Sequence, residues 1–185
     1  MALTPTTPIP LGFKAPEFAL PDVISSKILD FKAVKGAKGT LVIFICNHCP
    51  YVTHIITELV ELAEEYQQKG FGFVAINSND AIKYPQDSAE NMMEFAKTNQ
   101  FSFPYLYDES QAIAKSYDAA CTPDFNVFDS NDICVYRGEF DAARPGNSVP
   151  VNGESLKTVL ELLLADREVP QEGQKPSIGC NIKWK

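Results

Sequence analysis

Cys46 and Cys49 stand two residues apart, a spacing that lets both thiols close into a small disulfide ring. One can then attack a partner disulfide while the other releases the mixed disulfide that forms. They follow Leu41-Val42-Ile43-Phe44-Ile45, an apolar, β-branched run that reads as a strand buried on both faces. After Pro50 the pattern turns helical. A strand-to-helix handover presents unpaired N–H groups and the positive end of the helix dipole, and both lower the pKa of a thiol. His48, when cationic beside Cys49, adds to that effect. A CxxC can also be half of a zinc site or an inert buried pair. A structural zinc needs four ligands, and this sequence has no second CxxC and no HxxxH pair, so redox chemistry is the expectation.

The 185 residues suit one domain, 1–185, with a core large enough to need no disulfide staples. A formal charge of −8 argues against nucleic acid or an anionic membrane as partner. Residues 1–10 are rich in Thr and Pro and have neither the basic start nor the apolar centre of a secretory signal. No apolar run approaches membrane-spanning length. The expected compartment is the cytoplasm, where thiols stay reduced and a reactive pair is catalytic rather than structural. Five cysteines are an odd count, leaving at least one thiol unpaired or paired between chains.

The elements that must position the pair follow in order. Residues 1–11 read as a flexible or extended lead-in, and residues 15–21 as a short, proline-bounded strand that pairs with a second one within 25–31. The helix after Pro50 carries one apolar stripe, Val52, Ile55, Ile56, Leu59, Val60, Ala63 and Tyr66, and stops near Gly70. Phe71–Asn77 is the next strand, completing a βαβ unit with a parallel pair. Asp87 and Glu90 have capping-box spacing for a helix through Met92, Met93, Phe95 and Ala96. A strand at 101–107 and a capped helix from Asp108 to Tyr117 come next. Cys121-Thr122-Pro123 then opens a hairpin through Asp129 and back from Ile133 to Arg137. A last helix spans Glu154 to Ala165, burying Leu156, Val159, Leu160 and Leu163, and residues 166–185 form a polar C-terminal tail. Arg137 and Arg144 read as salt-bridge partners.

With the CxxC helix, the βαβ unit and Thr-Pro ahead of a hairpin, the chain resembles the thioredoxin-like superfamily. It is most similar to the peroxiredoxin-like, AhpC/TSA-related members with Asn-His between the cysteines. The residues carrying the resemblance are Ala15-Pro16-x-Phe18, Cys46-Asn47-His48-Cys49-Pro50-Tyr51, Phe103-Pro104-Tyr105-Leu106-Tyr107-Asp108, Cys121-Thr122-Pro123, Tyr136-Arg137-Gly138 and Ile178-Gly179-Cys180-Asn181-Ile182-Lys183-Trp184. It implies an α/β fold of three layers, α/β/α, around a central mixed β-sheet, with an N-terminal β-hairpin extension of the peroxiredoxin type.

It further implies a cis bond before Pro123, with the backbone of Thr122 offered to an extended substrate and Asn47 also at the substrate site. Cys46 would attack and Cys49 resolve, with His48 as the third catalytic residue and no bound metal or organic cofactor beyond the redox-active disulfide. Thr40 occupies the place of the buried acid of thioredoxins, and Ile45 the place of their aromatic residue. A peroxiredoxin would align its peroxide-attacking cysteine with Cys49, but its Thr/Ser and Arg donors fall on Cys46 and about Pro123, so the clamp for peroxide is missing.

The leading expectation is a thiol–disulfide oxidoreductase acting on protein or low-molecular-weight disulfides and thiols, as a monomer or homodimer. The alternatives are a thiol peroxidase oxidised at Cys49 and a non-catalytic binding module. Cys121 and Cys180 are candidate auxiliary thiols, Cys180 because its tail can fold back on the site, whereas Cys134 reads as structural.

Overall fold

The computed structural model describes residues 3–185. Its centre is a five-stranded mixed sheet in the order β6-β5-β4-β8-β9, built from β4 (Gly39–Phe44), β5 (Phe71–Asn77), β6 (Tyr105–Tyr107), β8 (Asp124–Asp129) and β9 (Cys134–Gly138). β4 runs parallel to β5 and antiparallel to β8, so the strand ahead of the cysteines is central and has no exposed edge. Its six residues are all buried, as an unbroken apolar run on a two-sided sheet demands.

Alternation along the strands sorts the core into two layers. Leu41, Ile43, Ile45, Phe71, Phe73, Ala75, Phe125 and Val127 face the helices α2 (Pro50–Gln68), α3 (Ala89–Thr98) and α5 (Glu154–Leu164). Val42, Phe44, Val74, Ile76 and Phe128 face α1 (Phe31–Val34), α4 (Ala112–Ser116) and the hairpin of β2 (Ala19–Pro21) with β3 (Ile28–Asp30). The period of two in the strands thus produces the expected three-layer α/β/α arrangement and its N-terminal hairpin. Every residue of the predicted α2 stripe is buried, and each fully buried aliphatic side chain contributes about 1.5–3 kcal/mol. α2 therefore has one seating on the sheet, which fixes where its N-terminus points.

Several local expectations are corrected. Of the two readings of the lead-in, extended rather than flexible holds for Leu3–Pro5, which is β1 and pairs with β10 (Ile178–Asn181) from the segment expected to be a polar tail. Met1 and Ala2, also in that lead-in, lie outside the described residues. β10 in turn pairs with β7 (Cys121–Thr122), giving a second sheet in the order β1-β10-β7. Only Ala19–Pro21 of the first proline-bounded segment is a strand, and Leu163 of α5 is half-buried because α5 turns it to the margin. Asp108 caps no long helix. α4 is a single short turn starting at Ala112, and the buried Asp108 carboxylate accepts from Ala114 N and the Ser78 hydroxyl, both at 2.9 Å. Among the described residues no helix is long and apolar enough to cross a membrane.

β10 can lie against β7 because residue 179 has no side chain. A Cβ there would sit 2.0 Å from the Thr122 carbonyl oxygen, closer than any real contact. Gly179→Ala should therefore push β10 off β7 and lower the urea-unfolding free energy by about 1–3 kcal/mol, the usual cost of overpacking. An unchanged midpoint and slope would mean that β10 does not need this close approach.

Candidate redox site

Both cysteines of the motif sit where β4 hands over to α2. Cys49 is the N-cap of α2 and Pro50 its first helical residue, where a missing N–H costs nothing. Opposite them the Thr122–Pro123 bond is cis, as the resemblance implied. Cys46 Sγ lies 3.3 Å from the Thr122 hydroxyl, and Cys49 Sγ lies 3.1 Å from the Thr122 carbonyl oxygen. The two residues are 1% and 0% exposed, so accessibility does not choose the nucleophile. Electrostatics does.

The charge belongs to Cys49, whose pKa is lowered to about 5. The Cys46 thiol donating to its sulfur is the main cause, reinforced by the Cys180 side chain and by the backbone N–H groups of Cys180 and Val52, against the opposing effect of burial. Cys46 moves the other way. Donation to Cys49, then burial, then the nearby Asp87 carboxylate keep it a thiol well above the ordinary range, with the Thr122 hydroxyl opposing. The resemblance implied Cys46 as the attacking thiol, whereas the lowered pKa falls on Cys49. The helix N-cap falls on the second cysteine, and the first one faces an acid.

Asp87 is the residue at the candidate site that the sequence reading did not place there. Capping-box spacing assigned it to the start of α3, but Ser88 takes that role, accepting from Asn91 N at 3.3 Å. Asp87 lies in a single 3₁₀ turn, Pro85–Asp87, and points inward with no exposure. Its carboxylate accepts from Asn47 N and Asn79 Nδ2, each at 2.8 Å. A buried acid is thus present although Thr40 occupies the place expected of one, and Thr40 instead accepts from Gly36 N. The one available signal was the adjacent Ser88, an equally good cap that leaves Asp87 free for another use.

His48 is also redirected. Its Nδ1 stands 2.8 Å from Asp87 Oδ2, at ion-pair range but off the line of a hydrogen bond, and its ring stacks on Tyr84 at 5.9 Å. It sides with Cys46, the two ligating atoms and the Asp87 oxygen lying within 4.8 Å of one another, rather than with Cys49. Three such ligand atoms suit a soft divalent cation in kind, but they fall one short of a closed structural zinc set. Asn47, expected at the substrate site, has its whole amide engaged internally: Nδ2 donates to Gln86 O at 2.8 Å and Oδ1 accepts from Tyr105 Oη at 3.0 Å. These contacts tie the motif loop to the turn at Gln86 and to Tyr105.

Of the auxiliary thiols, Cys180 reaches the site and Cys121 does not. Cys180 Sγ is 2.8 Å from Cys49 Sγ. Cys121 points at the Pro123 carbonyl oxygen, 3.6 Å away, and burial pushes its thiol up. Cys134 is buried in β9, its thiol raised to about 12 by burial. Arg137 and Arg144 are salt-bridge partners as expected, of Asp124 at 3.7 Å and of Glu139.

A mixed sheet between two helical layers, with a CxxC at a helix start and a cis proline facing it, defines a thioredoxin-like protein. The chain belongs to the Redoxin family, whose sequence model matches residues 10–150. An uncharacterized conserved protein from Geobacillus kaustophilus is 55% identical, with a TM-score of 0.97 over 100% of this chain and 97% of that one. A putative thiol:disulfide interchange protein DsbE from Chlorobium tepidum is 19% identical (TM-score 0.67, 85% and 99% covered), and peroxidoxin BcpB from Mycobacterium tuberculosis 16% identical (TM-score 0.63, 85% and 98% covered). These last two show the shared fold. No curated protein sequence matches the chain.

The thiolate assignment is open to direct titration. In the reduced protein, absorbance at 240 nm and the alkylation rate of Cys49 should both fall as pH drops through about 5, since acid returns the proton to a depressed thiol. That step should vanish in Cys49→Ser. A single transition at the free-thiol value, roughly 8.5, would refute it.

Proposed function

We propose that the protein is a thiol–disulfide oxidoreductase whose working couple is Cys46 and Cys49, exchanging with disulfides and thiols of proteins or small molecules. The observation that carries this reading is the placement of both sulfurs on Thr122 beside the cis Pro123, one as a thiolate and the other as the thiol that donates to it.

The order of steps follows from those charges and reverses the one implied by the resemblance. The Cys49 thiolate attacks one sulfur of a substrate disulfide and expels the other as a thiolate, leaving Cys49 in a mixed disulfide. Cys49 no longer carries a charge or accepts the Cys46 proton. The strongest influence holding Cys46 as a thiol is thereby lost. Cys46 then gives up its proton and attacks Cys49 Sγ, releasing the substrate and closing the Cys46–Cys49 disulfide. Two electrons pass from the dithiol to the substrate, and an external thiol resets the pair. Asp87 and His48 hold the loop between the cysteines, and the Asp87 carboxylate adds to the influences that keep Cys46 a thiol.

Ionisation of Cys49 at the head of α2 also favours a second reading, a thiol peroxidase oxidised at Cys49. Against it, Cys46 fills the place of the hydroxyl donor, and the guanidinium groups of Arg137 and Arg144 are held by backbone carbonyls, of Tyr117 and Asp118 and of Asp141 and Ala143. A peroxide therefore lacks the hydroxyl and guanidinium clamp that a peroxiredoxin would supply.

Cys46→Ser separates the two readings. Reduction of insulin disulfides should fall by on the order of 10²-fold or more, because the Cys46–Cys49 ring can no longer close. A variant that still reduces insulin at the wild-type rate would overturn the dithiol couple. Rapid peroxide consumption by the same variant would instead select the peroxidase.

A further inference from the structure

The third sulfur at the site comes from the far end of the chain and is rigidly delivered. Cys180 lies in β10 with Thr122 as its ladder partner on one side and Leu3 on the other. The strand is tied down beyond it. Ile182 N donates to Ala120 O at 3.1 Å, Lys183 N to Asn79 Oδ1 at 2.8 Å, and Gln111 Nε2 to Lys183 O at 2.8 Å. Ahead of it, Ser177 Oγ donates to Pro123 O at 2.7 Å. Thr122, whose main chain was expected to receive an extended substrate peptide, therefore already has one. The chain's own C-terminal strand occupies that position, with a cysteine at the residue facing Thr122. Cys180 Sγ is 2.8 Å from Cys49 Sγ, so closing to the ~2.05 Å of a disulfide needs a shift of under ~1 Å.

We propose that Cys180 is a third redox-active residue, exchanging with the oxidised couple to move the disulfide from Cys46–Cys49 to Cys49–Cys180. This rests on the oxidoreductase reading of Cys46 and Cys49 and extends it. In the step, Cys180 loses its proton and its sulfur attacks Cys49 Sγ. The Cys46–Cys49 bond breaks, the Cys49–Cys180 bond forms, and Cys46 leaves as a thiolate that takes up a proton. No electrons enter or leave, so no further oxidant is needed. In the reduced protein Cys180 stays a thiol, raised to about 12 by burial and by the neighbouring Cys49. Oxidation of Cys49 takes away the charge that opposes its ionisation. The consequence is a covalent staple between the head of α2 and β10, with Cys46 restored as a thiol while the chain remains oxidised.

Disulfide mapping of the full-length protein tests this. Wild type, Cys46→Ala and Cys180→Ser are oxidised with diamide, quenched in acid, alkylated while denatured, digested, and read by mass spectrometry. Wild type should give both Cys46–Cys49 and Cys49–Cys180 linkages. Cys46→Ala should give Cys49–Cys180 alone, and in Cys180→Ser that linkage should fall to background while Cys46–Cys49 persists. A Cys46–Cys49 linkage in wild type with no Cys49–Cys180 linkage in either wild type or Cys46→Ala would make Cys180 a bystander and leave the oxidoreductase reading standing. Failure of Cys46 and Cys49 to pair in both wild type and Cys180→Ser would overturn the exchange together with the reading beneath it.

Discussion

Thr122 is the residue on which three cysteines converge, and its three contacts use three different parts of it. The hydroxyl lies against Cys46, the carbonyl oxygen against Cys49, and the main chain pairs with Cys180. A thiol at Cys49 can donate to that carbonyl, whereas a thiolate cannot and is held by N–H and S–H donors instead. The same sulfur thus has hydrogen-bonding partners in both protonation states, as the proposed cycle between them requires. The central strand β4 and the stripe of α2 matter to the chemistry because they leave Cys46 and Cys49 no other position relative to Thr122.

A second set of contacts links the motif loop to the end of the chain. Asp87 holds Asn47 N and Asn79 Nδ2, while the other end of the Asn79 amide accepts from Lys183 N. Gln111 adds to the same junction, donating to the carbonyls of Ser78 and Lys183. These polar groups are buried, and each is satisfied by a partner from a distant part of the sequence, so losing one leaves an unpaired group behind at a cost of about 1–3 kcal/mol. The segment after Cys180 is linked through Asn79 to the carboxylate that faces Cys46, so the seating of β10 and the environment of the first cysteine share a contact.

The two-layer core was legible because it rests on periodicity: α2, β4 and β5 each bury the residues their patterns indicated. The cis proline and the hairpin extension came through resemblance, on motifs that keep their spacing. What periodicity cannot carry is the direction of a single polar side chain. Asp87 and Ser88 are adjacent, both suit a helix cap, and only the packed loop decides that the serine caps and the acid turns inward. The pairing of the lead-in with the tail was missed for a related reason. β1 and β10 are three and four residues long, and their pairing joins residue 3 to residue 180, a separation that no local pattern encodes. The attacking role of Cys46 was carried over from the resemblance, whereas the helix N-cap falls on Cys49.

Occupation of the Thr122 edge by β10 also constrains what can be a substrate. A protein substrate that docks by adding a strand beside Thr122 must compete with a segment already paired on both sides and tethered at Ser177, Ile182 and Lys183. An intramolecular strand has the advantage of high effective concentration, so a peptide that merely matches its contacts does not displace it. Access to Cys49 then depends on a substrate small enough to enter without a strand, or on release of β10. The staple between Cys49 and Cys180 would act on this balance directly, since it holds the strand in place when the chain is oxidised and leaves only non-covalent contacts to hold it when the chain is reduced.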